Sequence, residues 1–107
     1  MGHLGVDWEG LKNFLWRVHA VFPLERAFLF GSRARREELL HSDYDLILVS
    51  PAFQGLPYPE RVRRILELWE LEVGLEPIPL TPEEFAERAE KITVVREAVR
   101  TGKEIWP

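Results

Sequence analysis

Two aspartates stand two positions apart in the segment Ser42-Asp43-Tyr44-Asp45-Leu46. Residues two apart in a β-strand point to the same face, so a strand here would bring both carboxylates to one place. Strands disfavour aspartate, and like charges this close repel each other. A hard divalent cation such as Mg²⁺ would remove the conflict because it binds carboxylate oxygens. The alternative is that Asp43 caps a turn and only Asp45 enters the strand, where its carboxylate is solvated.

A glycine–serine pair, Gly31-Ser32, ends the apolar run that precedes the aspartates. If a strand ends there and a helix begins at Ser32, the turn presents free backbone N–H groups and a hydroxyl, for which phosphate is the usual ligand. Glycine lets such a ligand approach the backbone closely, and Arg33 and Arg35 could add positive charge. Many turns of this kind bind nothing, so the pair gains its meaning from the aspartates that follow. Together the two motifs favour a metal–phosphate site.

Two common nucleotide-binding loops are absent from the chain. Neither Gly-x-x-x-x-Gly-Lys nor Gly-x-Gly-x-x-Gly occurs in it, which excludes a Walker A loop and a dinucleotide-binding fingerprint. A third carboxylate would complete a site for two ions, and Glu76 is the candidate because it lies near the start of the third predicted strand. It could instead be an exposed edge-strand residue, and Glu72 competes for the same role.

Hydrophobic periodicity predicts the elements that must position these residues. Helical spacing of apolar residues indicates helices, and short continuous apolar runs indicate buried strands. We expect helices over 7–22, 33–40, 59–73 and 94–100 and another beginning at 82, with strands over 27–30, 44–50, 75–80 and 104–106. This order predicts an α+β (α/β layered) fold, in which helices pack against a small mixed β-sheet.

Finer patterns add detail to four of these elements. The two prolines of the strand over 75–80 cannot donate to a neighbour, so that strand is predicted at a sheet edge. Thr81, Pro82 and Glu84 form the N-cap, first position and capping box of the next helix. In the first helix, Trp8 belongs to the apolar stripe. In the helix over 59–73 the predicted buried stripe is Val62, Ile65, Leu66, Trp69 and Val73, and the predicted solvent side is Arg61, Arg64, Glu67 and Glu70.

Length and composition restrict the class of protein. A chain of 107 residues is predicted to form a single domain over 1–107. Its net charge of -4 argues against nucleic acid as the main ligand. The absence of cysteine excludes disulfides, thiolate catalysis and cysteine-bound zinc. No apolar run approaches the ~20 residues that span a bilayer, so we expect a cytoplasmic protein that does not bind membranes.

Both motifs together resemble the signature of the polymerase-β-type nucleotidyltransferase superfamily, in particular its minimal nucleotidyltransferase (MNT) proteins. That signature runs Gly-Ser-x-Ala-x-Gly, a spacer, then Ser-Asp-x-Asp-Leu. The chain has Gly31-Ser32-Arg33-Ala34-Arg35 followed by the segment 42–46, and LEPIPLTPEEF is similar to the third-strand region, with Glu76 in the position of the third acid. Arg36 departs from the pattern, where the family usually has glycine.

The resemblance implies the nucleotidyltransferase fold and a transfer reaction. An acceptor hydroxyl attacks the α-phosphorus of a nucleotide, and pyrophosphate leaves. The resemblance assigns nucleotide binding to Gly31, Ser32, Arg33 and Arg35, and assigns catalysis and the binding of two Mg²⁺ ions to Asp43, Asp45 and Glu76.

The resemblance also implies a partner. MNT proteins resemble the antitoxin half of toxin–antitoxin pairs, in which AMP from ATP is moved to a tyrosine of a HEPN toxin. A HEPN-domain partner and ATP as substrate are therefore expected here. The alternative is a non-catalytic antitoxin that neutralises its partner by forming a complex. Transfer to a small molecule such as an aminoglycoside usually requires an additional domain, so a protein acceptor is expected.

Overall fold

A computed structural model describes residues 6–31, 43–91 and 93–107 of the chain. The helix predicted over 33–40 lies outside these residues, as do Ser32, Arg33, Arg35 and Arg36. Within the described part, none of the helices is long and apolar enough to cross a membrane.

Within the described residues, helices and strands follow each other in the predicted order. They are α1 Trp8–Val21, β1 Arg26–Phe30, β2 Tyr44–Val49, α2 Tyr58–Leu66, β3 Leu75–Leu80, α3 Pro82–Ala89, α4 Val94–Thr101 and β4 Lys103–Glu104. A short 3₁₀ turn, Pro51–Phe53, interrupts the loop between β2 and α2.

The strands form one mixed sheet in the order β3-β2-β1-β4. β1 pairs antiparallel with β2 and with β4, whereas β2 and β3 are parallel. The α+β fold with a small mixed sheet is therefore confirmed. β3 lies at the edge of the sheet, as its prolines predicted, because a residue without an N–H can occupy an edge strand without costing a hydrogen bond.

The sheet is covered on both faces, which explains why its central strands are continuously apolar. Leu46 and Leu48 of β2 point towards the core that contains α1, while Ile47 and Val49 point towards the core that contains Phe85 of α3 and residues of α4. Since side chains alternate along a strand, Asp45 belongs to the α3–α4 face. It is the one charged residue of β2 and is half-buried.

Side-chain caps fix the starts of α1 and α3. Asp7 precedes α1 and its Oδ1 accepts from the N–H of Gly10 at 3.0 Å. The capping box of α3 is confirmed, because the Glu84 N–H donates to Thr81 Oγ1 at 3.2 Å and the Thr81 N–H donates to Glu84 Oε1 at 2.9 Å. These bonds satisfy N–H groups that a helix start leaves without a partner.

Arg61 corrects the prediction for the helix over 59–73. It was placed on the solvent side, but only 6 % of it is exposed. Its guanidinium donates to the carbonyls of Leu56 at 2.7 Å and Pro79 at 3.1 Å and to both carboxylate oxygens of Glu84 at 2.7 and 3.3 Å. Arg61 is therefore a buried connection between α2, β3 and α3.

The same helix is shorter than predicted, and two residues placed in apolar stripes are exposed. α2 ends at Leu66, which is 43 % exposed, and Trp8 of α1 is 47 % exposed. Periodicity predicts which residues share a face of one helix. It does not tell which elements cover that face along its length. For this reason the predicted burial of Leu66 and Trp8 was wrong.

The pair of Arg61 and Glu84 predicts a pH dependence of stability. The hydrogen bond from Arg61 lowers the pKa of Glu84. A carboxyl group whose pKa is lowered by folding stabilises the protein above its unfolded pKa, about 4.3 for glutamate, and loses that contribution as the pH falls towards its folded pKa. From about pH 7 to about pH 3.5 the urea midpoint of the wild type should therefore fall further than that of Glu84→Gln.

Glutamine keeps the carbonyl oxygen that the capping box needs, so the comparison isolates the charge of Glu84. Other groups whose pKa is shifted by folding titrate in both proteins, so their contributions to the pH dependence cancel in the comparison. Among them is Glu60, whose pKa is lowered to about 2 by hydrogen bonds from Arg63 and Arg64. Equal losses in the two proteins would show that the Arg61 bond does not couple folding to the protonation of Glu84.

Candidate active site

Three strand ends meet where the sequence motifs lie. β1 runs antiparallel to β2, so its last residue lies beside the start of β2, and β3 starts alongside because it is parallel to β2. In the register, Asp45 pairs with Phe30 on one side and with Glu76 on the other. Gly31 follows Phe30 directly. The folded sheet therefore brings Gly31, Asp45 and Glu76, which are far apart in the sequence, to one end of adjacent strands.

Gly31 lies directly against the Asp45 side chain. Its φ is +79°, and a β-carbon at this position would overlap Asp45 Oδ2. Only glycine adopts such a φ without strain. Both its conformation and its lack of a side chain are therefore needed to let the carboxylate lie at the end of β1.

Asp45 is electrostatically coupled to the other two acids. Burial raises the pKa of its carboxyl group, and repulsion from Glu76 and then from Asp43 raises that pKa further. Burial and neighbouring negative charge both disfavour the ionised form. Glu76 and Asp43 thus lie close enough to Asp45 to destabilise its ionised form in the absence of a positive charge.

Asp43 is placed differently from Asp45. β2 begins at Tyr44, so Asp45 lies within the strand and Asp43 precedes it. The Asp43 carboxylate lies against Gly74, where a β-carbon would come within 2.6 Å of Asp43 Oδ1. The two aspartates therefore contact glycines next to different neighbouring strands, Asp43 the glycine before β3 and Asp45 the glycine after β1.

A cleft of about 400 Å³ opens beside Asp45 and Glu76. Its other walls are apolar and include Phe30, Val62, Leu66, Ile78 and Val94. Two of these are strongly exposed, Leu66 at 43 % and Val94 at 61 %. Glu72, the competing candidate for the third acid, lines a different depression with Asp7 and Tyr44.

Comparison with known proteins identifies the family. Residues 11–102 match the profile of the nucleotidyltransferase domain. The chain belongs to this family. A crystal structure determined at 1.40 Å, of a Sulfolobus solfataricus protein described as a candidate nucleotidyltransferase, superposes with a TM-score of 0.65. That similarity covers 92 % of this chain and 78 % of that chain at 23 % identity, and it shows a shared fold. No curated protein sequence matches the chain.

Family membership supports nucleotidyl transfer and a nucleoside triphosphate as substrate, with divalent metal ions as the usual cofactors of such domains. Among the residues that the structure describes, no group of three or more histidine or acidic side chains is gathered in the geometry of a metal site. The donor chemistry nevertheless suits a hard cation, because carboxylates are its preferred ligands and their repulsion at Asp45 is what a cation would relieve. In this nucleotidyltransferase Asp43, Asp45 and Glu76 would hold it.

Sequence reasoning missed the apolar walls of the cleft. Leu66 ends α2 and Val94 begins α4 directly after its cap Thr93, which accepts from the Arg96 N–H at 3.2 Å. An exposed apolar residue gives no signal in periodicity, because the pattern assigns it to the core by default. The positions of Leu66 and Val94 near the acids depend on how α2 and α4 of the nucleotidyltransferase pack against the sheet.

Gly31 offers a test of the site with a matched control. In Gly31→Ala the methyl group displaces the Asp45 carboxylate and the positive φ is strained. We expect a loss of about 10- to 100-fold in nucleotidyl transfer, since small displacements of a positioned group have effects of this size. Gly55 also has a positive φ, +81°, but a β-carbon there meets no atom within 4 Å.

Gly55→Ala should therefore lower stability by about 1 kcal/mol through backbone strain alone and leave transfer unchanged. Urea denaturation and the transfer rate of both variants separate the two effects. A similar rate in both variants would show that the contact of Gly31 with Asp45 is irrelevant to transfer.

Proposed function

We propose that this nucleotidyltransferase moves AMP from ATP to a hydroxyl group of a partner protein, a tyrosine of a HEPN protein. The observation that carries this proposal is the alignment of Asp45 with Glu76 across β2 and β3, next to Gly31 at the end of β1. The position of Asp45 and Glu76 in the wall of one cleft, with Gly31 packed against Asp45, supports a single site for both substrates. The resemblance of the motifs to MNT proteins supports the nucleotide and the kind of acceptor.

Each residue has a defined role in this proposal. Gly31 and Ser32, with Arg33 and Arg35, bind the triphosphate, since backbone N–H groups and guanidinium groups suit phosphate oxygens. Asp43, Asp45 and Glu76 hold Mg²⁺, and two bound ions would supply stabilisation of the attacking and leaving oxygens. The positive charge of the ions would offset the repulsion among the carboxylates, so a cluster that is unfavourable when empty becomes a binding site.

The cleft supports an acceptor with an apolar body. Its walls are mostly hydrocarbon, while Glu76 places an exposed carboxylate at one end. A phenol side chain satisfies both features, because its ring buries apolar area and its hydroxyl reaches the polar end. A sugar hydroxyl would leave polar groups against Leu66 and Val94 without partners.

The proposed reaction replaces pyrophosphate on the α-phosphorus of ATP by the tyrosine oxygen. The tyrosine oxygen forms a bond to the α-phosphorus of ATP, the bond from that phosphorus to the bridging oxygen breaks, and pyrophosphate leaves. The phenolic proton passes to Glu76 or to water. The products are an AMP–tyrosine diester and pyrophosphate.

A direct test is incubation of the protein with MgATP and the HEPN protein proposed as its partner, followed by intact-mass spectrometry. The expected result is the addition of one AMP to the HEPN protein, with loss of the addition when the acceptor tyrosine is replaced by phenylalanine. An unchanged mass of the HEPN protein, with ATP and Mg²⁺ in excess, would contradict the proposal. Parallel reactions with GTP, CTP and UTP measure the preference for the base.

A further inference from the structure

A second groove lies on the opposite side of the sheet from Asp45. It has a volume of about 330 Å³ and runs between α1 and the segment 103–107. Three tryptophans line it, Trp8 and Trp16 from α1 and Trp106 from the other wall. Trp8 is 47 % and Trp16 52 % exposed. Since α1 and Trp106 belong to the core on the other face of β2, a ligand in this groove leaves the cleft at Asp45 open.

The two exposed tryptophans occupy one stripe of α1 with a lysine between them. Trp8, Lys12 and Trp16 follow at intervals of four residues, so they lie on successive turns and span about 12 Å. Lys103 crosses from the other wall, with its Nζ 5.3 Å from the Trp8 ring centre. Trp16 contacts Trp106 edge to face at 4.9 Å. The stripe thus presents two aromatic rings with the positive charge of Lys12 between them.

The free charge of the groove is positive, although the whole chain is acidic. Among its side chains the one carboxylate, Glu104, accepts from two guanidinium nitrogens of Arg26, each at 2.8 Å. Within the described ranges, neither Lys12 nor Lys103 forms an ion pair. The chain carries a net charge of -4, so the two unpaired lysines beside the tryptophans are a local reversal of sign.

We propose that this groove binds an amphipathic helix of another protein, one that carries an acidic residue between two large apolar residues about two turns apart. The apolar residues would cover Trp8 and Trp16, and the acid would face Lys12 and Lys103. A second copy of this chain is not the expected occupant. Antiparallel pairing of two α1 helices about a two-fold axis would place Lys12 against Lys12 of the other copy, and these charges repel.

The test uses synthetic helical peptides as probes. One peptide carries two phenylalanines about two turns apart with a glutamate between them, and a second carries lysine in place of that glutamate. Binding to the full chain is measured by fluorescence anisotropy of the labelled peptides. The glutamate peptide should bind roughly fivefold more tightly, the effect of one partly exposed charge pair. General attraction to an acidic protein would give the opposite preference.

Variants locate the binding. Lys12→Glu should reverse the preference of the two peptides, while the control change Lys91→Glu, just after the end of α3, should preserve it. Nucleotidyl transfer should be unchanged in both variants. The proposal is overturned if neither peptide binds, if the two bind equally well to the wild type, or if Lys91→Glu alters the preference as much as Lys12→Glu does. Sedimentation of the protein alone reports self-association, and a dimer that Lys12→Glu strengthens would also overturn it.

Discussion

Asp45→Asn should lower nucleotidyl transfer by about 10²–10³-fold, the loss expected when one preorganised charge is removed from a reacting centre. The same change should leave the protein at least as stable as the wild type. The Asp45 carboxylate is half-buried and faces repulsion from Glu76 and Asp43, which together raise its pKa. A group with this environment opposes folding at neutral pH, so the neutral isostere removes a penalty. Transfer rates and urea midpoints measure the two effects.

The other acids supply controls for this prediction. Glu76→Gln should reduce transfer, whereas Glu72→Gln, in a depression that does not contain Asp45, should leave it unchanged. Loss of activity in Glu72→Gln alone would assign the third carboxylate to Glu72. If the double variant Asp43→Asn/Asp45→Asn still neutralises a toxic partner in cells, complex formation suffices and the non-catalytic antitoxin is favoured. A clear loss of stability in Asp45→Asn would show that its carboxylate supports the fold.

Arg61→Met should destabilise the protein by about 2–3 kcal/mol. Breaking one side of a fully buried ion pair costs about 3–5 kcal/mol, and this pair is less costly because the Glu84 side chain is 35 % exposed. The methionine fills most of the volume, so the effect reports the polar contacts. The carbonyls of Leu56 and Pro79 also lose their donor, which adds to the loss. The difference in free energy of unfolding in urea is the measurement.

Arg64→Met is the matched control on the same helix. Arg64 is 47 % exposed and pairs with Glu60 at 3.0 Å, so its loss should cost less than about 0.5 kcal/mol. Arg61→Lys should lie between the two, because a single ammonium group cannot reach acceptors in three directions. Equal stability of Arg61→Met and Arg64→Met would contradict the structural role assigned to Arg61.

Local chemistry explains why most of the fold was predictable. A continuous apolar run such as Leu46 to Val49 can satisfy both of its faces only inside a covered sheet. The Thr81–Glu84 capping box is complete within four consecutive residues, so the sequence contains every partner it needs. The edge position of β3 follows in the same way from residues that lack a donor. In each case the decisive interaction is carried by neighbours in the chain.

The parts that the sequence could not supply depend on distant partners. Arg61 looks like a solvent-facing residue until Pro79 and Glu84 are brought beside it by the fold. The aspartate and glycine–serine motifs indicated a site, but the contact of Gly31 with Asp45 and the pairing of Asp45 with Glu76 depend on strand order and register. The helix predicted over 33–40, and with it the rest of the turn predicted to bind phosphate, lies outside the described residues.

The prolines of β3 have a consequence for the accuracy of the site. Neighbouring residues of a strand direct their backbone groups to opposite sides, and the Pro79 carbonyl accepts from Arg61 instead of from β2. Pro77 and Pro79 therefore share the outer side of the strand. A shift of β3 by one residue would turn both prolines towards β2, where they could not donate, and would carry Glu76 to the opposite face of the sheet. Two residues that have no N–H to donate thus disfavour a misalignment of the acids.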